Sequence, residues 1–61
     1  MEAGTKVIFN TFSKDFPPQL EGVVMEAETH KKLGLALIEV INPPNGYPHV
    51  VSRKLENIKS I

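Results

Sequence analysis

Apolar and polar residues alternate over residues 5–11, where Val7 and Phe9 interleave with Lys6 and Asn10. A period of two predicts a β-strand with one buried face, and Ile8 is the exception on its polar side. Residues 35–42, Leu-Ala-Leu-Ile-Glu-Val-Ile-Asn, are denser in apolar and β-branched side chains and read as the central strand of a small sheet. The even-numbered Ala36, Ile38 and Val40 are the expected core. Leu35, Leu37 and Ile41 then share the other face with Glu39, whose charge argues against full burial there. Whether something covers that face decides what the strand is for.

Between these strands lie two segments of different character. Residues 12–19, Phe-Ser-Lys-Asp-Phe-Pro-Pro-Gln, cannot form regular structure, because two prolines remove two backbone donors and hold Phe16 out of helical geometry. They predict a long loop with two aromatic anchors. Residues 20–28 mix helix formers with Gly22 and the Val23-Val24 pair. A strand with Gly22 at a bend or bulge is the preferred reading over a helix, which would pair Glu28 with Lys32. Residues 29–34 become a hairpin connection, basic at its tip.

Past the central strand, Pro43-Pro44 stops the pairing and Asn45-Gly46 offers the positive φ of a tight turn. Residues 47–52 return as a strand, with Pro48 tolerable near its start. Ser52 followed by Arg-Lys-Leu-Glu reads as one helical turn capped by Ser52, with Leu55 and Ile58 pointing inward. Residues 57–61 close the sheet.

The chain has 61 residues and no Cys, which removes disulfides and thiolate metal sites as sources of stability. A domain of this size buries only about 60% of its extended surface, so a well-built core or association must do the work. Lack of Cys fits a cytoplasmic protein. Neither a signal-peptide pattern nor an apolar run of membrane-spanning length is present, and Met1 without a tag leads us to expect a complete small protein. Seven Lys+Arg balance seven Asp+Glu, without the basic excess usual for a nucleic-acid binder.

The element order resembles the SH3-like small barrel: an all-β, five-stranded architecture with one helical turn before the last strand. The residues that carry the resemblance are Gly4-Thr5-Lys6-Val7, Glu21-Gly22-Val23-Val24, and Val51 followed by Leu55-Glu56-Asn57-Ile58. Three relatives of that architecture differ from this chain at the residues that carry their functions. KOW modules carry a glycine-rich basic first loop, which residues 12–19 lack. Peptide-binding SH3 domains use a Trp and a Tyr pair, whereas this chain has no Trp and Tyr47 alone. The plasmid-borne trimethoprim-resistant dihydrofolate reductases are similar in length and in a Leu-Glu-x-Ile ending. Their pore strand reads Val-Gln-Ile-Tyr where this chain has Tyr47-Pro48-His49-Val50, so that activity is not implied. The resemblance supports a fold and not a function.

Candidate chemistry is thin. His30 and His49 lack the spacing of metal ligands, and are read as solvated and partly packed, respectively. Ser13, Ser52, His49 and Asp15 form no recognisable nucleophile motif. We expect no catalytic residue, no metal and no cofactor. The expected activity is binding, to another protein or to a second copy. Phe12, Phe16 and Pro17 of the first loop would serve, with Val23, Met25, Leu35, Leu37 and Ile41 of the strand face. Phe16 has a second reading as a lid folded onto the core. The alternative is nucleic-acid binding through Lys31, Lys32, Arg53 and Lys54, with Tyr47 stacking on bases.

Overall fold

The computed structural model describes residues 2–61. Five strands form one antiparallel curled sheet: β1 (Lys6–Asn10), β2 (Gln19–Met25), β3 (Leu35–Val40), β4 (Val50–Lys54) and β5 (Ile58–Ser60). Their order across the sheet is β4-β3-β2-β1-β5. A 3-10 turn, Leu55–Asn57, precedes β5. The expected class is therefore present: all-β, five strands, barrel-like curl, and a helical turn before the last strand.

Two local expectations shift. The connection from β2 to β3 is not a plain hairpin but a single turn of helix, α1 (Glu28–Lys32), which buries none of its residues. Lys31 reaches Glu26 at 3.7 Å. The helical turn near the C-terminus begins at Leu55 and has no side-chain cap, because Arg53 and Lys54 continue β4 opposite Ala36 and Leu35. Ser52 is a strand residue there and caps nothing. Ile58 packs inward as expected, while Leu55 is 41% exposed.

The period-two reading of the core holds on every central strand. Val7 and Phe9 of β1, Val24 of β2, and Ala36, Ile38 and Val40 of β3 are buried, joined by Tyr47 and Ile58. Phe9, Ile38 and Val7 are the largest fully buried side chains, each worth about 1.5–3 kcal/mol of burial. The turn into β4 closes with Tyr47 N–H donating to the Pro44 carbonyl at 2.9 Å. Gly46 supplies the positive φ of +87° that this turn needs.

Gly22 occupies neither a bend nor a bulge. It pairs in regular register with Val7 on one side and Val40 on the other. Its role is close approach: a Cβ there would overlap Ile38 Cγ2 and lie 2.9 Å from the Glu39 carbonyl oxygen. The missing side chain lets Ile38 lie directly on the β2 backbone. Gly22→Ala is expected to destabilise the fold by about 1–3 kcal/mol, the range for overpacking a filled core. A denaturant midpoint equal to that of the wild type would contradict this.

Candidate functional site

Strand β5 accompanies β1 only as far as the Ile58–Phe9 pair. One residue further, Asn10 faces chain that has already turned into Leu55–Asn57, so its carbonyl has no strand to pair with. Arg53 supplies the partner. From β4 its Nε donates to the Asn10 carbonyl at 2.7 Å, and Nη2 donates to the Thr11 carbonyl at 3.4 Å and to Tyr47 Oη at 3.2 Å. Nη1 donates to the Ser52 carbonyl at 2.7 Å. The guanidinium carbon lies 5.6 Å from the Phe9 ring centre and 5.8 Å from that of Phe12, within cation–π range of both. Charge-assisted bonds of this kind are stronger than neutral ones. A single side chain thus ties β4 to the end of β1.

The first loop is fixed against the same point. Buried Thr11 donates its hydroxyl to the Pro17 carbonyl at 2.7 Å and its N–H to the Pro18 carbonyl at 3.0 Å. Phe16 is half-buried and meets Tyr47 edge-on, with centroids 4.9 Å apart and planes at 79°. It packs against the core cluster, as the lid reading expects. Phe12 goes the other way: it sits at φ +53° and is 70% exposed, an unusual backbone state for a non-glycine residue.

The outer face of β2 and β3 carries Val23, Met25, Leu35 and Leu37, all half-buried. Met25 stands opposite Leu37, and Val23 opposite Glu39. At the α1 end a groove of about 370 Å³ is lined by Met25, Leu35, Leu37 and Leu55, with Lys31 and Glu2 at its edge. A shallower groove lies between Phe12 and the β4 residues Arg53 and Lys54, and Leu35 lines it too. Leu35 therefore joins the strand face to the first loop. Ile41 is half-buried but lines a separate depression with Ile8 and Leu20. Pro17 is exposed.

The nucleic-acid set does not assemble as expected. Lys31, Lys32 and Lys54 are exposed, but Tyr47 is only 8% exposed and its ring is part of the core. Arg53 spends its donors on backbone carbonyls and on Tyr47. The two histidines exchange places: His30 is half-buried and His49 exposed. Among the described residues no group of three potential metal ligands comes together. Sequence reasoning missed Leu33, which is 69% exposed beside α1, and Val50 on β4. The one available signal for Leu33 was an apolar residue inside a basic connection.

No protein-family model matches this chain, and no curated protein or solved structure matches it. The reading of the site therefore rests on its geometry.

Arg53→Lys is expected to destabilise the fold by about 1.5–3 kcal/mol, since an ammonium cannot reach several divergent acceptors from one planar group. Tyr47→Phe removes only one of those acceptors and should cost less, about 1 kcal/mol. Equal denaturation midpoints for Arg53→Lys and the wild type would show that the clasp carries no stability.

Proposed function

We propose that this chain is a small non-catalytic binding module of SH3-like barrel type that contacts another protein. Strand order and the 3-10 turn before β5 support the architectural part of that reading. The binding part is carried by one observation: Phe12 of the first loop and the apolar residues of β3 line adjoining grooves that share Leu35. These side chains lie outside the buried cluster, two of whose members, Val24 and Ala36, also line the groove at the α1 end. Apolar surface that is contiguous and edged by charge marks an interaction site more often than scattered exposed residues do.

Association is the test, measured side by side on the wild type, Leu37→Glu and Phe12→Gly. Glycine removes the ring while accepting the positive φ at that position. Sedimentation velocity reports self-association, and quantitative capture from cell extract reports other proteins. Both variants should stay within about 1 kcal/mol of wild-type stability, as surface substitutions usually do, and should lose the proteins that the wild type retains. Identical retention by all three chains would overturn the reading. So would preferential retention of nucleic acid that falls steeply with salt.

A further inference from the structure

We propose that Asn45 is a modification site, where the chain converts its own side-chain amide to a carboxylate with the Gly46 nitrogen as nucleophile. Asparagine is one of the thermolabile residues, and its lability depends on the backbone nitrogen that follows it. That nitrogen must reach the side-chain carbon, Cγ, and close a five-membered ring. The chain has four asparagines, and the structure separates them. Asn42 precedes Pro43, whose nitrogen carries no proton to lose. After Asn10, the Thr11 N–H donates to the Pro18 carbonyl at 3.0 Å. After Asn57, the Ile58 N–H donates to the Leu55 carbonyl at the end of the 3-10 turn, and Ile58 is buried. Among the described residues, only Gly46 follows an asparagine with an N–H that has no protein acceptor.

The turn leaves this pair open. Asn45 and Gly46 are exposed, and no atom lies within 4 Å of where a Cβ at Gly46 would stand. With Tyr47 N–H bonded to the Pro44 carbonyl at 2.9 Å and Gly46 at φ +87°, the turn is type II. That type sets ψ of its second residue near about +120°, which turns the Gly46 nitrogen away from the Asn45 side chain. Attack therefore requires the peptide plane between the two residues to rotate. The plane is free to do so, since neither the Asn45 carbonyl nor the Gly46 N–H is bonded to protein, and glycine adopts either sign of φ.

Water is the only co-reactant the step needs. The Gly46 nitrogen gives up its proton and bonds to Asn45 Cγ; the Cγ–Nδ2 bond breaks, and Nδ2 leaves with a proton as ammonia. Water then opens the cyclic imide at one of its two carbonyl carbons. Addition at Cγ restores the main chain and leaves an aspartate. Addition at the Asn45 backbone carbonyl carbon leaves an isoaspartate, with the main chain routed through the side-chain carbons. Either product adds one negative charge to a chain in which seven Lys+Arg balance seven Asp+Glu. Only the isoaspartate lengthens the chain inside the turn, which separates the Tyr47 N–H from the Pro44 carbonyl. Tyr47 also accepts from Arg53 Nη2 and carries the Phe16 contact, so the change reaches the Arg53 clasp.

The full chain is incubated at mildly alkaline pH, folded and in parallel in denaturant, and peptide mapping by mass spectrometry follows each asparagine. In the folded chain Asn45 should convert at least about tenfold faster than Asn10 or Asn57, whose following N–H groups are released only by local opening. Its rate should also stay within about tenfold of its own rate in denaturant, because the turn asks for no such opening. Asn45→Ser keeps a turn-forming residue but has no amide to lose, and should accumulate no acidic form at this position. Asn45→Asp carries the charge without the longer chain and should keep the wild-type denaturation midpoint, while the isoaspartyl fraction unfolds at lower denaturant. Conversion at Asn45 no faster than at Asn10 and Asn57, or conversion that occurs only in denaturant, overturns the proposal. An isoaspartyl fraction as stable as Asn45→Asp overturns the consequence drawn for Tyr47. Asn45 lines neither groove of the candidate surface, so these outcomes are distinct from the failure of the protein-binding reading.

Discussion

Arg53 spans a gap that strand pairing leaves at the end of β1. The order β4-β3-β2-β1-β5 gives two terminal strands, and β5 is too short to follow β1 to its end. Without a substitute, the Asn10 and Thr11 carbonyls at the start of the first loop would have no donor, and unpaired backbone acceptors near a core are costly. The guanidinium suits the task because its donors diverge in one plane while its carbon lies over the rings of Phe9 and Phe12. The consequences spread outward. Tyr47 is oriented by the same group, Phe16 packs edge-on against Tyr47, and the first loop is thereby closed over the barrel end.

Size imposes the second constraint. The inward residues of β1, β2 and β3 exhaust what a chain of 61 residues can enclose. Dense packing is reached partly by removing a side chain at Gly22, where Ile38 needs the space. Nothing large is left to lay over the other face of β3, since α1 buries none of its own residues. Leu35 and Leu37 stay half-exposed for that reason, with Met25 beside them. The outer strip is a consequence of chain length as much as of sequence.

Period-two alternation makes Val7, Phe9, Ala36, Ile38 and Val40 legible as core in the sequence itself, because alternation is a property of each strand alone. Features that depend on what lies across the sheet were not legible. Gly22 looked like a bulge, since a glycine in a strand pattern does not say whether it frees the backbone or makes room for Ile38. Arg53 reads in sequence as one of four basic candidates for nucleic acid, because nothing local records that the Asn10 carbonyl lies in reach 43 positions away. The helical turn begins at Leu55, later than the local pattern at Ser52 suggests, for the same reason. Pairing with β3 keeps Arg53 and Lys54 extended, overriding the capping pattern that Ser52 and Glu56 suggest. For the site, the apolar parity of Leu35 and Leu37 is readable, but that Leu35 and Phe12 line one groove depends on the curl of the sheet.

The clasp and the candidate site are not separate parts. Arg53 holds the barrel together from inside and borders the groove between Phe12 and β4 from outside. The same residue also occupies the Ser52 carbonyl, which partly guards an edge that would otherwise pair without discrimination. A ligand that presses on Phe12 therefore touches a ring within cation–π range of the residue that closes the fold. Stability and the candidate surface share one guanidinium. In a larger domain the two could be assigned to different residues, but here the core is small enough that its closing element is also part of its surface.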